Sequence, residues 1–269
     1  MYTYNDHTFL VCAYKESKFL EDCIISLKRQ SVQSDILICT STPNDYIQNI
    51  ADKYSIEVRV NEDGLKHGSD IAKDWNFALS QCETSLATIA HQDDVYKKEY
   101  LDKVLNTFNT CTHPLIAFTD YSEIKSGIEV KDNKLLKIKR TLLTSLKNPK
   151  NWNSVSKRRR CLSFGNPICC PSVTYCLDNV KQPIFEVGMK SNIDWGAWEI
   201  LSKLQGEFAY IPEILMSHRI HEESTTTAVI AGKKGRSLED YEMFCKFWPK
   251  WVSRMIEHFY KESEKQNGN

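Results

Sequence analysis

The chain has 269 residues, 41% of them apolar, and its 35 basic residues are balanced by 35 acidic ones. That length and apolar content suit one large domain, or a domain with an appendage, and exclude a disordered chain. Zero net charge gives no electrostatic footprint for nucleic acid, and no apolar run approaches the roughly 20 residues that span a bilayer.

In chain order, Thr8 to Tyr14 is a short β-favouring run, and Ser17 to Gln30 repeats apolar residues at Phe19, Leu20, Cys23, Ile24 and Leu27, the spacing of a helix. Asp35 to Thr40 reads as a strand, Tyr46 to Tyr54 as a helix and Ile56 to Val60 as an alternating strand. Ile71 to Leu79 reads as a helix and Leu86 to Ala90 as a fourth strand. Strands alternating with helices imply right-handed crossovers and a Rossmann-like, mostly parallel sheet with helices on both faces, an α/β fold. Ligands of such sheets bind beyond the carboxyl ends of the strands. Tyr14, Thr40 to Asn44, Gly64 to Asp70 and Asp93-Asp94 all follow strands and are expected to converge on one rim.

The fourth strand runs into His91-Gln92-Asp93-Asp94-Val95-Tyr96. Acids hold a nucleoside diphosphate only through a bridging hard cation, Mg²⁺ or Mn²⁺, and Asp93 and Asp94 supply oxygen ligands for it. The plain alternative is an Asx turn with Asp94 near a helix N-cap. Between Lys125 and Arg160, twelve Lys or Arg stand against Glu129 and Asp132. This stretch is either a solvated face or an insert facing anionic phospholipid or a lipid-diphosphate acceptor. Beyond the apolar run Phe208 to Leu215, His218 and His221 flank Arg219-Ile220; they are structural histidines, or His221 reaches a metal or diphosphate while Arg219 pairs with phosphate. Glu222 to Thr227 reads as a polar flap.

The segment Ser237 to Tyr260 carries aromatic and aliphatic residues at helical spacing, with Ser237 and Asp240 resembling a capping box and Pro249 dividing it. Its apolar face packs on the rest of the chain, lies on a membrane or forms a homodimer contact. Among the ten cysteines, Cys12, Cys23, Cys39, Cys82 and Cys111 lie in apolar periodic segments, and the group Cys161, Cys169, Cys170 and Cys176 lacks zinc-site spacing. Reduced thiols are expected, and the polar start Met1 to His7 reads as no signal peptide. The expected location is cytoplasmic, at most peripheral on the inner face of the membrane.

Several segments recur together. Thr8 to Tyr14 with Lys15-Glu16-Ser17 leads to Leu20, Ile24-Ile25-Ser26-Leu27 and Gln30, and Gly68 precedes Ala72 and Asn76. The His91 to Tyr96 motif is followed by Gly165-Asn166-Pro167-Ile168, Pro171-Ser172, Asn192-Ile193-Asp194-Trp195 and His218-Arg219-Ile220-His221. In this order and spacing they resemble family 2 nucleotide-sugar glycosyltransferases of the GT-A fold, over about residues 7 to 226. The resemblance implies a catalytic domain over 1–230, with a nucleotide-sugar-binding half (1–124), a basic insert (125–160) and an acceptor half (161–230), and a helical extension over 236–262. It implies donor contacts from Ala13, Tyr14, Glu16, Thr40, Ser41, Asp70, Asn76, Gln92, Asp93 and Arg219, and a Mg²⁺ or Mn²⁺ ion on Asp93, Asp94 and His221. Asp194, at a helix start where an aspartate is otherwise a cap, becomes the general base of an inverting transfer from a nucleoside-diphosphate sugar, a UDP-sugar, to a glycan or lipid-linked acceptor in surface polysaccharide synthesis.

Two departures bear on the donor. Where the family has two aspartates ending the second strand, this chain has Cys39-Thr40-Ser41-Thr42, so base recognition falls to Thr40 or Ser41, or to Asp70. His91 replaces the first aspartate of the metal motif, leaving Gln92 to contact ribose. Two other classes compete. A nucleotidyltransferase needs a glycine-rich phosphate loop after the first strand, which Ala13-Tyr14-Lys15-Glu16-Ser17 lacks. A catalytically silent nucleotide-sugar or glycan-binding protein fits the lost acids but not the retention of Asp93 and Asp194.

Overall fold

The structure, a computed structural model, describes residues 1–221 and 233–267, with side chains described over 1–221 and 238–258. The first half alternates as expected: β1 (His7–Ala13), α1 (Leu20–Lys28), β2 (Asp35–Thr40), α2 (Asp45–Tyr54) and β3 (Glu57–Val60). There follow α3 (Glu62–His67), α4 (Ile71–Ser80), β4 (Leu86–His91), β5 (Val95–Tyr96) and α5 (Tyr100–Phe108). In α5 the residues Tyr100, Leu101, Val104, Leu105 and Phe108 are buried, one helical stripe laid on the sheet. The remainder comprises β6 (Pro114–Lys125), β7 (Ile128–Val130), α6 (Lys134–Leu142), α7 (Val155–Leu162), β8 (Val173–Cys176), α8 (Ile193–Leu201), β9 (Glu207–Ile220), α9 (Lys233–Cys245) and α10 (Lys250–Asn267).

The strands form one nine-stranded sheet in the order β3-β2-β1-β4-β8-β6-β9-β5, with β7 paired to β6. From β3 to β4 every pairing is parallel. Beyond β4 the sheet is mixed, because β8 runs antiparallel between β4 and β6 whereas β6 and β9 are parallel. Register sets the site: Ala13 lies opposite Thr40, and Cys12 is flanked by Cys39 and His91. At the other side Val95 pairs with Ser217, which carries the end of β9 over to the acidic turn after β4. Large side chains close the core, with Trp195, Trp198, Tyr100, Tyr175 and Phe118 all under 2% exposed. Burying each contributes at least about 1.5–3 kcal/mol.

Two expectations about elements need correction. The segment Gly64 to Asp70, expected to follow a strand onto the rim, instead begins inside a helix, Glu62–His67, because the Asn61 side chain accepts from Gly64 N at 3.1 Å and caps it. A Cβ at Gly64 would stand 2.8 Å from Asn61 Nδ2, so the cap requires glycine. The capping box at Ser237 is overturned as well: the helix already runs from Lys233, which makes Ser237 interior. Pro249 does divide the tail, lying between α9 and α10. The polar stretch Glu222 to Thr227 lies outside the described residues.

The basic insert is only partly a solvated face. Arg140 pairs with Asp120 at 2.6 Å, Lys139 donates to Tyr121 Oη, and Arg159 pairs with the buried Glu199 at 2.7 Å. Arg158 is wholly buried over the Phe208 ring and donates to the carbonyls of Gly206 and Leu204, so that it ties α7 to the start of β9. Arg158→Met is expected to lower the free energy of unfolding by roughly 2–4 kcal/mol, because two buried carbonyls lose a charged donor. A urea titration measures it, and an unchanged midpoint would refute the latch. All ten cysteines are free. Among the described residues no helix is long and apolar enough to cross a membrane.

Candidate active site

The acidic turn after β4 is completed by the end of β9. Asp94 is fully buried; its Oδ1 accepts from Arg219 N at 2.8 Å and from His218 Nδ1 at 3.0 Å. Asp94 therefore anchors the end of β9, a structural role beside its place among the metal candidates. Burial alone would push the His218 pKa down, but the charge and hydrogen bond of Asp94 outweigh it and raise the pKa. Asp93 points the other way, with Oδ2 2.9 Å from His221 Nε2 and its carbonyl accepting from Arg219 Nε at 2.8 Å. Arg219 also lies over the Phe19 ring at 4.3 Å and reaches Asp22 at 3.5 Å. Arg219, expected on phosphate, here braces Asp93 through its carbonyl and is stiffened by its stack on Phe19.

His91 completes the group: one ligand atom each from His91, Asp93 and Asp94 lies within 4.8 Å of the others. The imidazole is stacked on Trp75 at 5.0 Å and 19°, and Trp75 packs edge-on against Phe185. Burial pulls the His91 pKa down to about 4, so the ring is neutral at pH 7 with a lone pair to donate. Two carboxylates and a neutral imidazole fit a divalent cation, the donor set that such ions accept.

The predicted donor contacts divide. Ala13 ends β1 at this rim and Tyr14 follows it, with Tyr14 and Glu16 exposed there. Gln92, expected on ribose, engages both ends of its amide with the backbone of Tyr14, accepting from N and donating to O at 3.0 Å each. It joins the ends of β1 and β4. Thr40 and Ser41 are buried, Thr40 Oγ1 accepting from Thr42 N and Ser41 Oγ donating to Asp74 Oδ2 at 2.9 Å. Asp70, the other candidate for the base, caps α4 by accepting from Lys73 N. The hydroxyls at the end of β2 thus serve the fold.

The carboxylate absent from β2 stands instead on α4. Asp74 accepts from Ser41 Oγ, from Asn61 Nδ2 at 3.0 Å and from Ser69 Oγ at 2.6 Å, gathering the ends of β2 and β3 with the loop before α4. Nothing in the sequence singled it out except its position one turn after the Asp70 cap. Asn76, expected at the donor, is a clamp: Oδ1 accepts from Ile184 N and Phe185 N, and Nδ2 donates to Phe185 O at 2.7 Å. Asn76→Ala leaves these backbone groups unpaired and is expected to cost about 1–3 kcal/mol, read as a lower urea midpoint. A stability equal to wild type would show the clamp to be dispensable.

Asp194 sits in the first turn of α8 but is not its N-cap, which is Asn192. One oxygen accepts from Trp195 N at 2.8 Å and the other from Asn166 Nδ2 at 2.7 Å, so Gly165-Asn166 is held against the α8 start. Burial raises its pKa against the lowering effect of these two donors. Burial lifts the Cys169 thiol pKa too, and the charges of both Asp94 and Asp194 lift it further.

A family model described as glycosyl transferase family 2 matches residues 8–172. Comparison with curated protein sequences gives no significant match. Among solved structures, S. aureus TarS 1–349 in complex with UDP-GlcNAc is similar at a TM-score of 0.62 and 15% identity, over 94% of this chain and 70% of that one. The mannosyltransferase PcManGT from Pyrobaculum calidifontis, in complex with GDP-Man and Mn²⁺, is similar at a TM-score of 0.60 and 11% identity, over 94% and 70%. Glucosyl-3-phosphoglycerate synthase from Mycobacterium tuberculosis, in complex with Mn²⁺, UDP and glucosyl-3-phosphoglycerate, is similar at 0.58 and 11%, over 90% and 80%. At these identities the likeness is one of fold.

Proposed function

The chain belongs to glycosyl transferase family 2 and has the GT-A fold, and from that premise we propose an inverting, metal-dependent transfer of a sugar from a UDP-sugar to a hydroxyl of a lipid-linked glycan in surface polysaccharide synthesis. The observation that carries this reading is the pairing of Asp93 with His221 at the end of β9, beside a buried Asp94 that locks β9 in place. TarS holding UDP-GlcNAc, and the mycobacterial synthase holding UDP and Mn²⁺, support a uridine donor and a cation.

In this reading Asp93 and His221 hold the cation, and Tyr14 and Glu16 line the nucleotide side. A divalent cation bound there supplies positive charge to the departing diphosphate. Asp194 takes the proton of the attacking hydroxyl. A carboxylate has about four lone-pair sites; Asn166 and Trp195 occupy two, which orients the group and leaves acceptor capacity on each oxygen. Direct displacement with one base needs no covalent intermediate, hence inversion. The lipid-linked acceptor fits α6, where Leu135 and Ile138 are exposed alongside Lys134 and Lys137.

The test is donor hydrolysis and nucleotide binding over a panel of nucleotide sugars with Mn²⁺, Mg²⁺ or EDTA. Metal-dependent turnover of one donor is the expected result. Metal-independent binding with no turnover of any donor would return the chain to a binding role.

A further inference from the structure

We propose that His91 is a nitrogen ligand of the divalent cation, and that it moves the site's preference from Mg²⁺ toward Mn²⁺ and later transition metals. The inference rests on the metal-dependent transferase reading and assigns a ligand and a selectivity to that site.

Three observations carry it. First, neither nitrogen of the His91 ring has a hydrogen bond among the described residues. Nε2 is buried with no partner, and the nearest carboxylate to Nδ1 is Asp94 Oδ2 at 3.8 Å, outside hydrogen-bond reach. The side chain is 22% exposed, and Nδ1, the nitrogen that faces the acids, is left to take a group that is not a protein atom. Second, its ligand atom lies within 4.8 Å of oxygens of both Asp93 and Asp94. Ligand atoms that share one ion at about 2.0–2.2 Å stand no more than about 4.4 Å apart, so the group closes on a cation with shifts of a few tenths of an ångström. Third, the ring is already oriented. It is stacked on Trp75, Trp75 abuts Phe185, and Asn76 grips the Phe185 backbone through three hydrogen bonds with Ile184 and Phe185. A ligand fixed by packing behind it loses little freedom on binding.

The selectivity follows from donor chemistry. Mg²⁺ prefers an all-oxygen octahedron and keeps its waters, whereas Mn²⁺, Co²⁺ and Zn²⁺ accept imidazole. An aspartate at position 91 would present oxygen alone; His91 presents nitrogen.

Electron spin-echo modulation of Mn²⁺ bound to the full chain, with Mn²⁺ alone and with UDP added, reads nitrogen ligation directly. Two imidazole couplings are expected in the wild type. His91→Asp should lose one, and His221→Ala should keep the His91 coupling. In competition, Mg²⁺ should displace Mn²⁺ from His91→Asp at a concentration at least about tenfold lower than from wild type. Histidine labelled with ¹⁵N in the His221→Ala protein should convert the remaining ¹⁴N signal, a check that needs no substitution at position 91. Mn²⁺ bound with couplings unchanged in His91→Asp would overturn the inference and leave the transferase reading standing. Wild-type protein that binds no Mn²⁺, with or without UDP, would overturn both.

Discussion

Asp93→Ala is expected to abolish metal-dependent binding of UDP and to lower kcat/KM by on the order of 10²–10³, while the protein stays folded. The fold survives because, among the described residues, the partly buried Asp93 carboxylate is hydrogen-bonded to the His221 ring alone. Its backbone carbonyl, held by Arg219, is untouched by the substitution. Asp94→Ala provides the contrast. Its carboxylate is fully buried and takes the Arg219 amide and His218, so its removal strips the charged partner from His218 and frees the end of β9. Loss of about 3–5 kcal/mol of stability is expected there, with activity lost as a consequence. Isothermal titration of UDP with and without Mn²⁺, set beside urea midpoints for both variants, separates the two. Equal UDP affinity in wild type and Asp93→Ala, in the presence of Mn²⁺, would remove Asp93 from the metal site. A destabilised Asp93→Ala beside a stable Asp94→Ala would reverse the roles.

That contrast between neighbours marks the limit of what the sequence discloses. The parallel half of the sheet was legible because each element announces its period: Leu86 to Ala90 is buried and apolar but for Thr88, as suits a central strand, and Phe19, Leu20, Cys23, Ile24 and Leu27 fall on one helical stripe. The short β8 was not, since a four-residue strand running antiparallel between β4 and β6 has too little length to show a pattern. In the site, two adjacent acids after a strand drew attention to themselves, and Asp194 stood out through the family's order of motifs. The partners that the sequence did not disclose are those of amides and hydroxyls. Gln92 reaches Tyr14 across 78 residues and Asn76 reaches Phe185 across 109. An amide that binds a ribose and one that clamps a backbone look alike in one dimension, because the distant chain decides between them. Asp74 was overlooked for the same reason. Its three donors, Ser41, Asn61 and Ser69, come from separate elements and meet only in the folded protein.

Asp194→Asn is expected to lower kcat by about 10²–10⁴ while leaving the affinity for UDP and Mn²⁺ unchanged. The hydrogen-bond partners of its carboxylate are Asn166 and Trp195 N, none of them in the His91, Asp93 and Asp94 group, so nucleotide binding is expected to be independent of it. An asparagine has one acceptor oxygen where the aspartate uses two, so it satisfies either Asn166 or Trp195 N but not both. A urea midpoint for this variant, with Asp194→Ala as a second truncation, therefore belongs with the kinetics. The pH profile is the sharper measurement. A base acts only when ionised, and burial holds the Asp194 pKa above the ordinary aspartate value, so wild-type kcat/KM should fall as pH drops through that raised pKa. Asn166 donates to the ionised carboxylate and stabilises it. Asn166→Ala removes that donor, raises the pKa further and should move the acid limb to higher pH, with kcat on the alkaline side much less affected. In Asp194→Asn the limb itself should vanish from the residual activity. An acid limb that stays in place in both variants would mean that another group takes the proton, and Asp194 would then be only the residue that pins Asn166 to the start of α8.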